Sequence, residues 1–404
     1  MMYRAYQAQA DLLETVRAVG GLALGGIDPW RSWDPERTFG HLDAASRLMA
    51  RAGLTHARPD YRIGTVRVGN REAAVTEVPV LATPFGTLLH FAKDVDVAQP
   101  RVLVVAPLSG HFATLLRNTV QTLLADHDVF ITDWHNARDV PLAAGRFGFD
   151  DHVEHLIRFL EAIGPGGHVL AVCQPCVQVL AAVAVMAEAG NPAEPRSMTL
   201  MAGPVDTRVN PTKVNELATG KPIAWFEDNL IATVPARHAG AGRRVYPGFV
   251  QLAAFMAMNP ERHVKAHRDL YRHVARGEDE KARVIEAFYD EYFAVLDLTA
   301  EFYLETVRIV FQDTLLARGA LTFRGGRVDP GAIRRTALLT VEGERDDICA
   351  LGQTAAAHEL CTGLKPYRRR HHMQPGVGHY GVFSGRRWEG QIYPIVRNVM
   401  VSSE

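Results

Sequence analysis

HVLAVCQPCVQVLAAVAVMAE, residues 168–188, changes texture at a single residue. Up to Val172 it is a continuous apolar run, the pattern of a strand buried on both faces. From Cys176 on, small apolar residues predict a helix, and Pro175 stands near its first position, where a missing N–H costs nothing. Cys173 is thereby placed on a sharp strand-to-helix turn at the carboxyl end of a sheet, the position of a nucleophile elbow. Two consequences follow. The helix N-terminus favours negative charge on the sulfur, and the backbone N–H of Gln174 is free to bind an oxyanion.

The flanking sequence repeats the alternation. RVLVVAPL from residue 101, HDVFITDW from 127 and SMTLMAG from 197 read as further buried strands, separated by helix-like text such as DDHVEHLIRFLEAIG. Alternating strands and helices with short connections predict a parallel sheet. Upstream, residues 1–60 read as mostly helical with a loop around Asp28-Pro29-Trp30, and residues 63–93 alternate as antiparallel strands do. The strand texture stops near 205. Residues 205–330 read as helices rich in aromatics, and buried-strand texture returns at TALLTVEG (336–343) and YRRRHHMQPG. The predicted fold is α/β, with a mostly parallel central sheet, N-terminal antiparallel strands and an inserted helical cap. The core comprises 1–205 and 330–404, and the cap 206–329.

Two further segments supply partners for Cys173. After TALLTVEG come Glu344-Arg345-Asp346-Asp347-Ile348, a carboxylate just past a late strand, where an elbow nucleophile keeps its acid. Asp346 is preferred, because Asp-x-Ile lets the isoleucine anchor the loop, with Asp347 as the alternative. The segment Gly376-Val377-Gly378-His379-Tyr380-Gly381 sets a histidine among glycines late in the chain, completing the order nucleophile, acid, histidine. His379 would act as general base or ion-pair partner for the thiol, and the acid would hold its ring. The loop after RVLVVAPL, with Leu108, Ser109 and Gly110, is where a second oxyanion N–H arises, and spacing leaves Leu108 and Ser109 both open. His111 is a rival histidine but stands too early in the chain. Cys173-x-x-Cys176 is also the spacing of a dithiol redox pair. A redox pair, however, needs no remote acid and histidine, and this chain supplies both.

Lys+Arg and Asp+Glu number 44 and 45, so no global field attracts nucleic acid or an anionic membrane. Four cysteines in 404 residues are no disulfide scaffold and suit a reducing compartment, and no metal site is predicted. Neither a signal peptide nor an apolar run of transmembrane length is read.

The blocks APLSGHFATLLRNTV, FITDWHNARDVPLAAGRFGFDDHVEHLIRFL, AVCQP, MAGPVDTRVNPTKVNEL and GVGHYGVFSGRRW together resemble the intracellular polyhydroxyalkanoate (polyhydroxybutyrate) depolymerases, over nearly the whole chain. The resemblance implies an α/β-hydrolase fold and a triad of Cys173, Asp346 and His379. It implies cytoplasmic action on amorphous poly(3-hydroxybutyrate) at storage-granule surfaces. It implies no cofactor, with coenzyme A as an alternative acceptor to water, and it is compatible with a homo-oligomer. The related polyester synthases keep glycines two residues either side of the nucleophile, where this chain has Ala171 and Pro175.

Overall fold

The computed structural model describes residues 2–27, 39–258 and 260–404; the expected loop at 28–30 lies outside them. A nine-stranded sheet runs through the molecule. Its strands are β1 (Thr65–Val68), β2 (Arg71–Ala82), β3 (Gly86–Lys93), β4 (Arg101–Val105), β5 (Asp128–Trp134), β6 (His168–Val172), β7 (Ser197–Met201), β8 (Ala337–Gly343) and β9 (Arg369–Gln374). The spatial order is β1-β2-β3-β5-β4-β6-β7-β8-β9. Contacts from β1 to β5 are antiparallel and the rest are parallel. This is the α/β-hydrolase arrangement, entered through antiparallel strands as the alternating text predicted.

The chain leaves β4 toward β5, then crosses back to lay β6 on the other side of β4. The order reverses there, so the loops after β4 and β6 diverge around a crevice beyond their carboxyl ends. Val105 pairs with Ala171, and Val172 with Met201, so the ends of β4, β6 and β7 stand side by side.

Burial explains the strand texture. β6, β7 and β8 are buried at every residue. Helix Cys176–Glu188 is buried on most of its surface, which is why its sequence is apolar all round. Helix Phe149–Ile163 buries Phe149, His152, Val153, Leu156, Phe159, Leu160 and Ile163, a single stripe at helical spacing. β9 differs from the buried strand expected. It is an edge strand with Arg370, His371 and Met373 exposed, and its charges keep that edge from pairing with other chains.

The insertion holds, among others, helices Lys213–Thr219, Ile223–Leu230, Gly248–Met258, Pro260–Arg276 and Asp279–Tyr292. It also holds a small sheet of Ala232–Thr233, Arg244–Tyr246 and Leu298–Thr299. Strands of two or three residues are too short to carry a periodicity, and the sequence reading missed them. A second difference concerns the first fifty residues, which were assigned to the core. Helix Gly40–Ala50 packs Ala44 against Leu270, Val274 and Ala282, and Tyr3 packs against Val234 and Val245. The N-terminal helices therefore cover the insertion. An apolar stripe shows that a helix has a buried face but not what it is buried against.

Asp297 pins this assembly. Its Oδ2 accepts from the Tyr3 hydroxyl at 2.7 Å and its Oδ1 from the Gly248 N–H at 2.9 Å. Its own N–H donates to Asn136 Oδ1 at 2.9 Å, in the loop after β5. Burial raises its pKa to about 6, against the opposing pull of the Tyr3 and Gly248 hydrogen bonds. A carboxyl whose folded pKa is raised contributes stability that is present below its unfolded pKa and is lost as pH rises through the folded value. Between pH 4 and 6.5, denaturant titrations should therefore show wild-type stability falling relative to Asp297→Asn, by about 3 kcal/mol for a shift of two units. A gap between the two proteins that does not change with pH would refute this.

Candidate active site

β6 ends at Val172, and Cys173 takes a left-handed backbone with φ +66°. For a residue with a β-carbon such strain costs about 1–3 kcal/mol and persists only where surrounding bonds enforce it. Here the Cys173 N–H donates to Met201 O at 2.8 Å, and its carbonyl accepts from the Cys176 N–H at 3.2 Å. Pro175 is the cap residue, and the helix starts at Cys176. Beneath the turn, a methyl on Gly203 would lie 2.2 Å from Cys176 Sγ, so only glycine admits the elbow helix there.

The two cysteines of the C-x-x-C pair have different surroundings. Cys173 is half-buried, whereas Cys176 is fully buried with its thiol on Ala171 O at 3.6 Å and Met201 O at 3.7 Å. Burial, reinforced by the Cys173 charge, pushes the Cys176 pKa well above the ordinary thiol value. Cys349 and Cys361 are also buried, and burial raises both.

His379 and Asp346 meet although 33 residues separate them in sequence. His379 Nδ1 donates to Asp346 Oδ2 at 2.8 Å, with both side chains buried. Asp346 Oδ1 accepts from the N–H groups of Ile348 and Cys349, each at 2.9 Å, so the carboxylate is aimed by its own turn. Asp347 is exposed. With Nδ1 committed to the acid, Nε2 is left for the sulfur. Burial works against protonating this ring. The charges of Cys173 and Asp346, with the Asp346 hydrogen bond, outweigh it and raise the pKa well above the ordinary value.

Glu342, absent from the sequence reading, braces the acid loop. It is buried at the end of β8 and accepts from the N–H groups of Gly352, Thr354 and Ala355 at 2.8–3.0 Å. Thr354 in turn donates its hydroxyl to Gly203 O at 3.0 Å and accepts the Gly203 N–H at 2.9 Å, joining the loop to the elbow's floor. A charged residue inside an otherwise apolar strand was the signal available in VEG.

The loop after β4 lies beside the elbow through the Val105–Ala171 pairing. Its Gly110 has φ +98° and its carbonyl accepts from the Leu296 N–H at 3.0 Å. Among the described residues, the N–H groups of Leu108, Ser109 and Gln174 meet no backbone acceptor. The Gln174 side chain is buried, and its amide has no partner there either. His111 is packed away instead. It stacks on Phe255 and Tyr292 and its Nε2 meets Tyr292 O at 3.2 Å, while burial lowers its pKa to about 4 and keeps it neutral.

Beside His379 opens a cleft of about 280 Å³, walled by Phe255, Arg262, Phe288 and Tyr292 of the insertion and by Asp347 and Tyr380. Burial, then the Tyr292 and Cys173 charges, raise the Tyr380 pKa. Among the described residues no group of three or more His, Cys, Asp or Glu side chains could hold a metal ion.

Residues 202–404, which include Asp346 and His379, match the family model described as PHB de-polymerase C-terminus. The chain belongs to this family. It is an ester hydrolase of α/β-hydrolase fold, with PHB depolymerase as its family activity. Among curated proteins none matches the sequence. Solved structures similar to it include a monoacylglycerol lipase of Paleococcus ferrophilus, at 11% identity and TM-score 0.43, covering 76% of this chain and 97% of that one. Another is a thermophilic esterase of Thermogutta terrifontis, at 14% identity and TM-score 0.42, covering 81% and 99%.

The burial contrast among the cysteines has a direct readout. Iodoacetamide on the folded enzyme should label the peptide carrying Cys173 at that residue alone, with Cys176, Cys349 and Cys361 reacting only after unfolding. Equal labelling of Cys173 and Cys176, read by fragment mass spectrometry, would contradict the geometry.

Proposed function

We propose that this depolymerase cleaves ester bonds of amorphous poly(3-hydroxybutyrate) with Cys173 as nucleophile, His379 as general base and acid, and Asp346 as the group that orients the ring. The observation that carries the proposal is His379 held by Asp346 at 2.8 Å and electrically coupled to a half-buried sulfur on a strained elbow. With the thiol proton already held on His379, the Cys173 thiolate attacks the ester carbonyl, forming a C–S bond and a tetrahedral oxyanion. The Gln174 N–H and an N–H from Leu108 or Ser109 face that charge. As the C–O bond breaks, imidazolium gives its proton to the departing alkoxide. A 3-hydroxybutyryl thioester remains on Cys173. His379 then deprotonates water, which attacks the thioester and frees the acid and the thiol.

Thioesters also accept thiols, so coenzyme A can stand in for water and leave as 3-hydroxybutyryl-CoA. The residues named suffice for each step, without a metal or bound cofactor. Residues 206–329 serve as the cap, and Phe255, Phe288 and Tyr292 supply apolar contact for the polymer chain. The reaction belongs in the cytoplasm, at the granule surface. A dithiol redox role is disfavoured by the fully buried Cys176, whose thiol turns toward strand carbonyls.

Clearance of amorphous poly(3-hydroxybutyrate) suspensions by purified variants tests the assignment. Cys173→Ala should abolish clearance, and Asp346→Asn should lower kcat by about 10³–10⁴-fold, the scale seen when a triad acid is neutralised. Asp347→Asn and Cys176→Ser should stay within a few-fold of wild type. Retained activity in Cys173→Ala, or equal losses at 346 and 347, would overturn the proposal.

A further inference from the structure

The apolar side chains left outside the core are not scattered evenly. Leu12, Val19 and Leu22 are exposed on helix Met2–Ile27, and Leu42 and Met49 on helix Gly40–Ala50. Leu22 is 79% and Leu12 67% exposed, far beyond what chance packing of a leucine requires. Leu12 and Val19 are seven residues apart, as are Leu42 and Met49, so each set forms one stripe along its helix. The two helices cross closely, since a methyl on Gly20 would lie 2.5 Å from Ala50 N. Their inner residues are already used against the insertion, through Tyr3 and Ala44. Among the described residues, Leu12, Val19, Leu22, Leu42 and Met49 join none of the apolar core clusters.

We infer that these stripes form the seat by which the enzyme rests on a neutral, water-insoluble polyester surface. The inference rests on the polyester reading above and names how that substrate is reached. Charge selects the occupant. Helix Met2–Ile27 carries Arg4 and Arg17 against Asp11 and Glu14, helix Gly40–Ala50 carries Arg47 against Asp43, and Ala18–Ile27 carries no charge at all. A helix that settles on an anionic membrane has a basic polar face. This pair has none, which suits an uncharged polymer. Position supports the same occupant. Arg47 pairs with Asp279 and Glu286, and Arg51 with Glu286, locking the pair to helix Asp279–Tyr292. That helix gives Phe288 and Tyr292 to the cleft beside His379, and outward it exposes Val284, as helix Pro260–Arg276 exposes Val264. The seat is thus braced by the helix that supplies one wall of the cleft.

The test uses the full chain with Leu12→Asp, Leu22→Asp and Leu42→Asp combined, with and without Cys173→Ala. Cosedimentation of the Cys173→Ala proteins with artificial amorphous poly(3-hydroxybutyrate) particles should fall at least tenfold on introducing the three aspartates. With Cys173 intact, hydrolysis of p-nitrophenyl butyrate should stay within twofold and the thermal midpoint should not move. Unchanged particle binding would overturn the inference. So would loss only of binding to phosphatidylglycerol vesicles, which assigns the face to a membrane. Conversion of a dimer to a monomer in the ultracentrifuge with particle binding intact would also overturn it, assigning the face to a second copy. If wild type bound the particles through this face yet cleaved no ester, the catalytic proposal would fail and the seat would stand.

Discussion

The backbone of Cys173 is the constraint on which the site depends. A residue with a β-carbon is held left-handed because β7 takes its N–H and the following helix takes its carbonyl. That turn stops β6 abruptly and leaves the sulfur at the rim of the sheet instead of inside the helix. It also sets the Gln174 N–H free beside the loop that follows β4. Relaxing the turn would move the Cys173 sulfur and the Gln174 N–H together. The neighbours that enforce it include Gly203, where any side chain would collide with Cys176.

The remaining chemistry is delivered from the far end of the chain by parallel strand pairing. β8 lies on β7, so the loop leaving β8 must pass near the elbow. Buried carboxylates then do two separate jobs. Glu342 accepts three backbone N–H groups and closes the acid loop, and Asp346 accepts two from its own turn while keeping an oxygen for His379. Each is satisfied by fixed donors, which is the condition for keeping a charge in a buried site. The histidine is held between two opposing influences, burial that resists its charge and the Cys173 sulfur and Asp346 carboxylate beside it that favour it. In the proposed role of base and acid, His379 would benefit from that balance.

Much of this was legible in the sequence, for identifiable reasons. Buried parallel strands write continuous apolar runs, and HVLAV followed by a small-residue helix placed the elbow without any tertiary knowledge. The choice of Asp346 over Asp347 rested on the isoleucine two residues on as a loop anchor, and the carboxylate that meets His379 is that of Asp346. What stayed hidden depends on partners remote in sequence. The small sheet of the insertion has strands of two or three residues and no period to detect. The N-terminal helices announce a buried face but not that it covers the insertion. Glu342 is an isolated charge in a strand, and its three donors lie 10–13 residues away in a loop without a motif. β9 reads as a strand, and its arginines and histidines show it to be an edge only once β8 is seen beside it.

In the proposed reaction the acyl group passes through one sulfur. Rapid acid quench during turnover of poly(3-hydroxybutyrate), followed by peptide mass spectrometry, tests it most directly. A 3-hydroxybutyryl adduct is expected on the peptide containing Cys173, released by hydroxylamine as a thioester is. An adduct on a serine or on another cysteine, or steady turnover with Cys173 never acylated, would contradict it.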